Sequence, residues 1–321
     1  SSYHTRYDFY FGADYTSGEQ ALSTKIKEWG GRFNISQNAA AHYLDYGIEG
    51  IYQDISPTVT KDIANGSAAI NTRIADVSSQ YQPVTITPYF NDDWKATERL
   101  CINYGVRFPL YFNKDVFYYS IDPKLVLRYK VGKTTSLKAS YSYGSQFVHM
   151  LVSSTATTPL DLWVASNASI KPQRGHAVAL GWYQNFADNQ FEVSVEGYYK
   201  SLTNQIEYKE GTDVFSAEQI NDKLLSGDGW TSGAEFFLRK RTGKVTGFVG
   251  YTLAWAQRQF EELNDGRPFD YKYDRRHDLT FSINYQITPK WSVSGLFVIG
   301  SAQALTVPQG VVYTPTSQGF G

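Results

Sequence analysis

The chain has 321 residues, of which 42% are hydrophobic and 19% charged, and its formal net charge is −1. This balance lacks the basic excess of nucleic-acid-binding proteins, and the single cysteine, Cys101, excludes an internal disulfide bond and a cysteine-rich zinc site. Aromatic residues make up 16% of the sequence, which is typical of membrane barrels with aromatic girdles and more than soluble domains need.

Apolar and polar residues alternate along many segments of the chain. Clear examples in chain order are "RLCINYGVRF" (99–108), "TSLKASYSYG" (135–144), "QFEVSVEGYYK" (190–200) and "DLTFSINYQIT" (278–288). A period of two predicts β-strands with one apolar and one polar face. About a dozen such segments occur, most of them long enough to cross a bilayer as tilted strands.

The predicted connections alternate between short and long. Short turns are predicted near 35–39, 95–98, 132–134, 187–190, 241–244 and 288–290, and long polar stretches near 55–78, 150–173, 209–229, 260–270 and from 304 onward. This is the pattern of an outer-membrane barrel with short periplasmic turns and long extracellular loops. Ser216 and Gln219 have capping-box spacing, so one short helix is expected within 209–229.

Aromatic residues cluster beside the short turns and predict an interfacial girdle on the periplasmic side. They are Phe90, Trp94, Trp182, Phe186, Phe191, Tyr285 and Trp291. The alternative is the aromatic core of an ordinary β-sandwich, which would not be expected to keep such a strict alternation of connections. The predicted fold class is therefore all-β: a transmembrane antiparallel β-barrel that comprises about a dozen strands of a larger barrel.

The polar side chains of the alternating strands are expected to face the barrel lumen, where a ligand would bind. The lumen candidates are Arg107, Glu192, Glu196, Glu235, Arg239 and Asp278, and Trp163 is a candidate contact in the loop 150–173. The alternative for the lumen residues is ordinary solvation of the wall. For Trp163 and its neighbours Leu160 and Leu162, the alternative is packing against other loops.

No constellation of residues predicts catalysis. None of the five histidines pairs with another at a metal-ligand spacing, and no GxSxG motif occurs. His149 beside Met150 offers a contact to a metal chelate, with a plain loop residue as the alternative. The charged cluster Asp274–Asp278 is either an acid–base site or an ion-pair network at a strand mouth. We predict that the chain is not an enzyme and holds neither a metal ion nor a cofactor.

Two stretches carry a family resemblance. "YFNDDWKATERLCINYGVRF" (89–108) is similar to a "YxxDxW" strand hairpin, and the region from Gly227 to Asp278, with "YTLAWAQRQF" and "YDRRHDL", resembles a late barrel segment. Both stretches resemble motifs of TonB-dependent outer-membrane receptors of the Bacteroidetes type. The likeness covers nearly the whole chain from about residue 18, and family barrels of this class have about 22 strands.

The resemblance implies one partial barrel domain over 1–321, without a plug domain, in the outer membrane of a bacterium. Its implied function is the import of a scarce nutrient with TonB-supplied energy, the nutrient being a metal chelate, cobalamin, haem, a peptide or a glycan. The implied partners are TonB through a plug outside this chain, outer-membrane lipid, the small nutrient ligand and a surface lipoprotein. No nucleic acid is expected.

Three other classes compete with this interpretation. A passive porin or diffusion channel predicts a loop that folds inward as a constriction and no plug domain. A barrel protease or lipase requires a Ser/His or Asp/His constellation at one rim. A soluble β-rich adhesin or carbohydrate-binding sandwich would dissolve without detergent.

Overall fold

The computed structural model describes residues 1–15, 18–64, 71–78, 80–114, 116–151, 162–212 and 220–303. Its strands are β1 (Ser2–Tyr15), β2 (Gly18–Ala39), β3 (His42–Ala64), β4 (Asn71–Ser78), β5 (Val84–Lys95), β6 (Leu100–Arg107), β7 (Leu110–Asn113), β8 (Val116–Tyr119), β9 (Asp122–Lys130), β10 (Thr135–Gln146), β11 (Val148–Leu151), β12 (Leu162–Ala165), β13 (Gln173–Phe186), β14 (Phe191–Tyr208), β15 (Leu224–Lys240), β16 (Val245–Gln259), β17 (Phe269–Asp270), β18 (His277–Thr288) and β19 (Trp291–Gly300). Two 3₁₀ helices lie at Ile220–Lys223 and Asn264–Gly266. Within the described ranges, no helix has the length and apolar character needed to cross a membrane.

The long strands form one antiparallel sheet in which each strand pairs with the next long strand along the chain. Their order is β1, β2, β3, β5, β6, β9, β10, β13, β14, β15, β16, β18 and β19. As far as the structure describes the chain, β1 and β19 pair on one side only, which leaves two open edges. The prediction of a partial antiparallel barrel is confirmed.

The connections alternate as predicted, with short turns at one end of the sheet and, apart from the connection between β1 and β2, long connections at the other. Turns at 40–41, 96–99, 131–134, 187–190, 241–244 and 289–290 join successive long strands at the short-turn end. The turn predicted near 35–39 is wrong, because β2 continues to Ala39. Asn34 and Ser36 resemble turn residues in the sequence, but their side chains bond Asp45 across the hairpin at 2.7 and 2.9 Å.

Two of the predicted long loops are shorter than expected. In the stretch 55–78, β3 runs on to Ala64 and pairs with β4, because a strand can continue outside the membrane wherever a neighbour satisfies its backbone. In the stretch 209–229, β15 already begins at Leu224. In the region of the expected helix, the described residues form the 3₁₀ turn Ile220–Lys223, and the predicted capping residues Ser216 and Gln219 lie outside the described residues.

Residues directly opposite each other in paired strands share a face of the sheet, so the register tests the predicted alternation. One row of opposite residues is apolar throughout: Leu100, Tyr129, Leu137, Trp182, Val195, Phe236, Tyr251, Leu279 and Ile299. Val193 and Phe281 share that face through Leu238 and Val249. The residues between them along the strands, such as Glu192 and Asp278, lie on the opposite, polar face. Lipid chains require such a continuous apolar face.

The aromatic side chains predicted beside the short turns are exposed on the apolar face. Phe186 and Phe191 stack across the turn 187–190 with ring centroids 5.1 Å apart, and Trp291 is 72% exposed. A second aromatic group, not predicted, lies towards the other end of the apolar face, where His4 stacks on Trp29 at 4.9 Å. Aromatic rings at both ends of an apolar band mark the two membrane boundaries.

The apolar core of the molecule lies at the end of the sheet with the long connections. It gathers side chains from several connections and strand ends, and its buried members are Ile55, Tyr81, Leu151, Leu162, Val164, Ala165, Ile170, Ile206, Tyr208 and Ile220. The strands themselves expose both of their faces over most of their length, because the wall is one sheet thick. The core therefore belongs to the extracellular cap rather than to the wall.

We expect Phe281→Arg to destabilise the inserted barrel by about 2–4 kcal/mol, because Phe281 faces lipid between Val249 and Phe297. Ser282→Arg puts the same side chain on the polar face one residue later and should destabilise the barrel much less. Urea unfolding of the protein in lipid vesicles measures both variants. Equal losses of stability would contradict the assignment of the two faces.

Candidate ligand-binding lumen

The β11–β12 hairpin lies inside the mouth of the wall. It belongs to the connection between β10 and β13, yet its Leu162 packs in a cluster with Ile55 of β3 and, at the edge of that cluster, Ile26 of β2. Ile26 and Ile55 oppose each other on the polar face, where Gln53 donates a 2.6 Å hydrogen bond to Glu28. A connection can reach the polar face of such distant strands only across the concave side of the sheet. The polar face therefore lines the lumen.

A second hairpin, β7–β8, holds the end of β12 in place. The backbone carbonyl of Ser166 accepts hydrogen bonds from Tyr111 Oη at 2.8 Å and Asn113 Nδ2 at 2.9 Å. Tyr118 Oη donates to the carbonyl of Asn167 at 2.9 Å. These donors satisfy backbone groups that are buried where no strand pairs with them, so they fix the position of the inserted hairpin.

His149 of β11 is fully buried within this cap. Its Nε2 lies 2.8 Å from Ser166 Oγ. Burial lowers the pKa of His149 to about 4, so the imidazole is neutral at physiological pH. The His149 side chain is therefore inaccessible to a metal chelate in this arrangement. Of the two interpretations of His149, the one without a ligand contact fits the structure.

Trp163, a predicted ligand contact, is half-buried against the same cluster. Its neighbour Leu162 is fully buried, as packing against neighbouring segments requires, and Leu160 lies outside the described residues. Trp163 remains a candidate because part of its surface is open.

The acidic candidates lie together on the lumen face. Glu196, Glu235 and Asp278 belong to one row of opposite residues, which passes through Thr252 between the last two. Tyr183 Oη donates to Glu196 at 2.6 Å, and Asp278 pairs with Arg275 at 3.2 Å. The register thus gathers three residues that are far apart in the sequence into one acidic stretch of wall.

Glu192 and Arg239 lie nearer the short turns. They oppose each other on the lumen face, and Glu192 pairs with Arg241 at 2.7 Å. This ion pair is partly exposed, so its contribution to stability is small. Because Glu192 and Arg239 lie far from the mouth, we interpret them as residues of the lumen wall and not as ligand contacts at the mouth.

Arg107 stands apart from the acidic residues, on the wall formed by β2 to β9. Its Nη2 lies 3.9 Å from Glu49, which also accepts a 2.6 Å ion pair from Arg32. Tyr89, opposite Arg107, donates to Asn34 at 3.0 Å. Arg32 and Glu49 were missed from the sequence, although the alternation of "GRFNIS" and "YGIEGI" places both on a polar face.

A buried carboxylate on the apolar face was also missed. Asp92 is 1% exposed and accepts hydrogen bonds from His42 Nδ1 at 2.7 Å and from Tyr104 Oη at 2.8 Å. Its neighbour Asp93 points to the lumen and accepts a 2.6 Å hydrogen bond from Asn103 Nδ2, so the two acids lie on opposite faces of β5. The sequence contains a signal for this site, because Asp92 is an acidic residue at a position where the alternation of β5 calls for an apolar one.

The charged cluster 274–278 forms ion pairs. Arg276 lies 3.2 Å from Asp274 and 3.7 Å from Asp270, while His277 Nδ1 lies 2.8 Å from Tyr251 Oη. This geometry describes a network at the strand mouth rather than a free acid–base pair. In the part of the chain that the structure describes, no group of three or more His, Cys, Asp or Glu residues is placed to hold a metal ion.

Acidification is expected to loosen the inserted hairpin through His149. Its pKa of about 4 in the folded state lies below the ordinary 6.5, so the undocked hairpin binds the proton more tightly. The docked state therefore loses stability as the pH falls from about 6.5 towards 4, by up to about 3 kcal/mol. Hydrogen exchange at pH 7.5 and pH 5 measures the opening of the hairpin. His149→Gln retains a hydrogen-bond donor and does not titrate, and an unchanged pH dependence in that variant would refute the role of His149.

Comparisons with known proteins agree with this architecture. The family model described as TonB dependent receptor-like, beta-barrel, matches residues 1–319. No curated protein matches the sequence. The copper transporter OprC is similar with a TM-score of 0.66 and 14% identity, over 92% of this chain and 48% of that chain.

Two further structures show the same fold. The ferric citrate transporter FecA in its unliganded form has a TM-score of 0.58 and 14% identity, over 94% of this chain and 47% of that chain. The FrpB iron transporter from Neisseria meningitidis has a TM-score of 0.57 and 15% identity, over 86% of this chain and 42% of that chain. This chain thus spans less than half the length of each structure. Since the family model covers residues 1–319, the chain belongs to the TonB-dependent receptor β-barrel family.

Proposed function

We propose that this chain is part of an outer-membrane receptor that captures a scarce nutrient and imports it with energy supplied through TonB. The observation that carries the proposal is the β11–β12 hairpin, which fills part of the mouth with buried apolar side chains above a charged wall. Such an obstruction narrows the water-filled path of a polar solute, and widening that path requires packed chain to move. Energy-coupled import supplies that movement.

A passive diffusion channel is the second candidate, because such a channel is expected to have a loop that folds inward as a constriction. The hairpin has that location, but Leu162 and Val164 are 0% exposed inside it. A constriction that selects solutes by diffusion presents charged or hydrogen-bonding groups to water instead. Membership of a family of receptors and transporters also favours capture and import over free diffusion or catalysis.

Among the nutrient classes that the family resemblance implies, a metal complex is the one we propose first. The similar structures described above are transporters of copper, iron and ferric citrate. Cobalamin, haem, peptides and glycans are the remaining classes. Contact with TonB would pass through a plug domain outside residues 1–321. The surface lipoprotein and the Bacteroidetes origin stay predictions.

Uptake should depend on TonB. Cells that produce the receptor, with and without TonB, are given radiolabelled copper, ferric citrate and ferric siderophores, and accumulation is measured. We expect the accumulated complex to fall to the level of receptor-free cells when TonB is absent, because the docked hairpin obstructs the lumen. Equal uptake in both strains would refute active import and favour the channel.

Loosening the hairpin should open a TonB-independent leak. Leu162→Ala removes a fully buried side chain and is expected to cost the cap about 2–5 kcal/mol. Entry of a small hydrophilic antibiotic into cells lacking TonB measures the leak. Leu127→Ala on the lipid face of β9 is the matched control and should not leak. Identical sensitivity of the two variants would show that the hairpin is not the obstruction.

A further inference from the structure

The row of lumen residues that contains the acidic candidates continues across the wall as a basic row. From Glu196 the opposite residues are Gly181 and Lys138, then Arg128, Cys101 and Lys95. The three cations therefore share one hydrogen-bonded level of the sheet with Glu196, Glu235 and Asp278. The wall from β5 to β10 is positive at this level, and the wall from β14 to β18 is negative.

The positive side extends along β9. Lys124, Arg128 and Lys130 alternate with apolar residues and occupy the lumen face of that strand. Lys124 lies about 13 Å above Arg128, given the rise of about 3.3 Å per strand residue. Positive charge thus continues from the middle of the wall down to the end with the short turns.

The cations of the basic row are not neutralised by neighbouring acids. Within the described residues, none of Lys95, Arg128 and Lys138 has a carboxylate at ion-pair distance. Two acids lie near these cations and are bonded elsewhere. Asp93 accepts a 2.6 Å hydrogen bond from Asn103, and Glu192, which lines a concavity with Arg128 and Lys138, pairs with Arg241 at 2.7 Å. A concavity of about 480 Å³ lies between these side chains, lined by Lys95, Cys101, Asn103, Arg128 and Lys138 among others.

We propose that the wall from β5 to β10 is the route by which an anionic solute leaves the lumen, so that the imported nutrient carries carboxylate or phosphate groups. The inference rests on the proposed import function and adds the charge of the imported solute and the path that the solute takes. Walls of Lys and Arg select anions in pores, and a concave surface of one sign raises the local concentration of the opposite charge. The acidic stretch of wall from β14 to β18 repels the same solute.

Cys101 is a native reporter for this proposal, because Arg128 Nη2 lies 3.4 Å from its Sγ and donates to it. The receptor in outer-membrane vesicles is treated with an anionic ethylsulfonate thiosulfonate or with the cationic trimethylammonium analogue. Each labelling rate is divided by the rate of the same reagent with a free thiol in solution. The Cys101→Ser variant is the background control, since any labelling that remains in it does not occur at residue 101.

We expect the normalised rate of the anionic reagent to exceed that of the cationic one about tenfold at low salt, and the ratio to fall at high salt. Citrate, an anion that carries no thiol chemistry, should slow the labelling of Cys101. The double variant Arg128→Gln/Lys138→Gln should bring the ratio close to one. Both side chains are exposed on the lumen face, so the variant is expected to insert normally.

The matched control places the thiol on the acidic side of the same row. Thr252→Cys in the Cys101→Ser background lies between Glu235 and Asp278 in the register, and it should prefer the cationic reagent. Equal preferences at residues 101 and 252 would overturn the proposal. So would a ratio that survives the double variant, or failure of both reagents to reach Cys101, which would mean that another part of the receptor covers the basic row. These outcomes are independent of TonB-dependent uptake, so the charge class and the import function are tested separately.

Discussion

The structure depends on one constraint, the satisfaction of backbone hydrogen bonds in a medium without water. Inside hydrocarbon each unpaired N–H or C=O costs several kcal/mol, so every strand of the wall needs a neighbour on both sides. Pairing each long strand with the next one meets this requirement with the shortest connections. The same pairing sends successive side chains to lipid and lumen, and it thereby decides the chemistry of both faces.

The wall and the cap are stabilised by different interactions. The wall is one sheet thick and has no interior, so its stability comes from backbone pairing and from lipid around its apolar side. The cap has an ordinary apolar core, built around Leu162, Ile55 and Ile206. It is the part that titrates through His149, and it fills part of the mouth without altering the pairing of the strands below it. The cap can therefore change while the wall stays the same.

The parts of the fold that follow from local pattern could be predicted from the sequence, and those that follow from register could not. The faces of β14 and β18 and the turns at 187–190 and 241–244 are local, and they are confirmed. Which side chains meet across strands depends on every turn length and on irregularities such as the one between Leu202 and Gln205. A single residue more or less in a turn would have moved Glu196 away from Lys138.

The remaining misses have similar causes. The turn predicted at 35–39 failed because polar residues on a lumen face resemble turn residues when their partner, Asp45, is not known. The site candidates Glu196, Glu235 and Asp278 were found singly, since alternation identifies a face but not a neighbour. The packing of Leu162 and Ile26 in one apolar cluster joins segments whose contact no sequence period encodes.

The direct pairing of β10 with β13 has a consequence for how such a receptor can diversify. The two strands pair from Thr135 with Gln184 to Gln146 with Gln173, whatever the chain does between 147 and 172. That segment can therefore be exchanged or lengthened without shifting the wall by a residue, provided that its replacement still presents apolar side chains to Ile55 and Ile206. Sequence variation can accumulate in this segment at the mouth while the wall of the lumen beneath it keeps its charges in place.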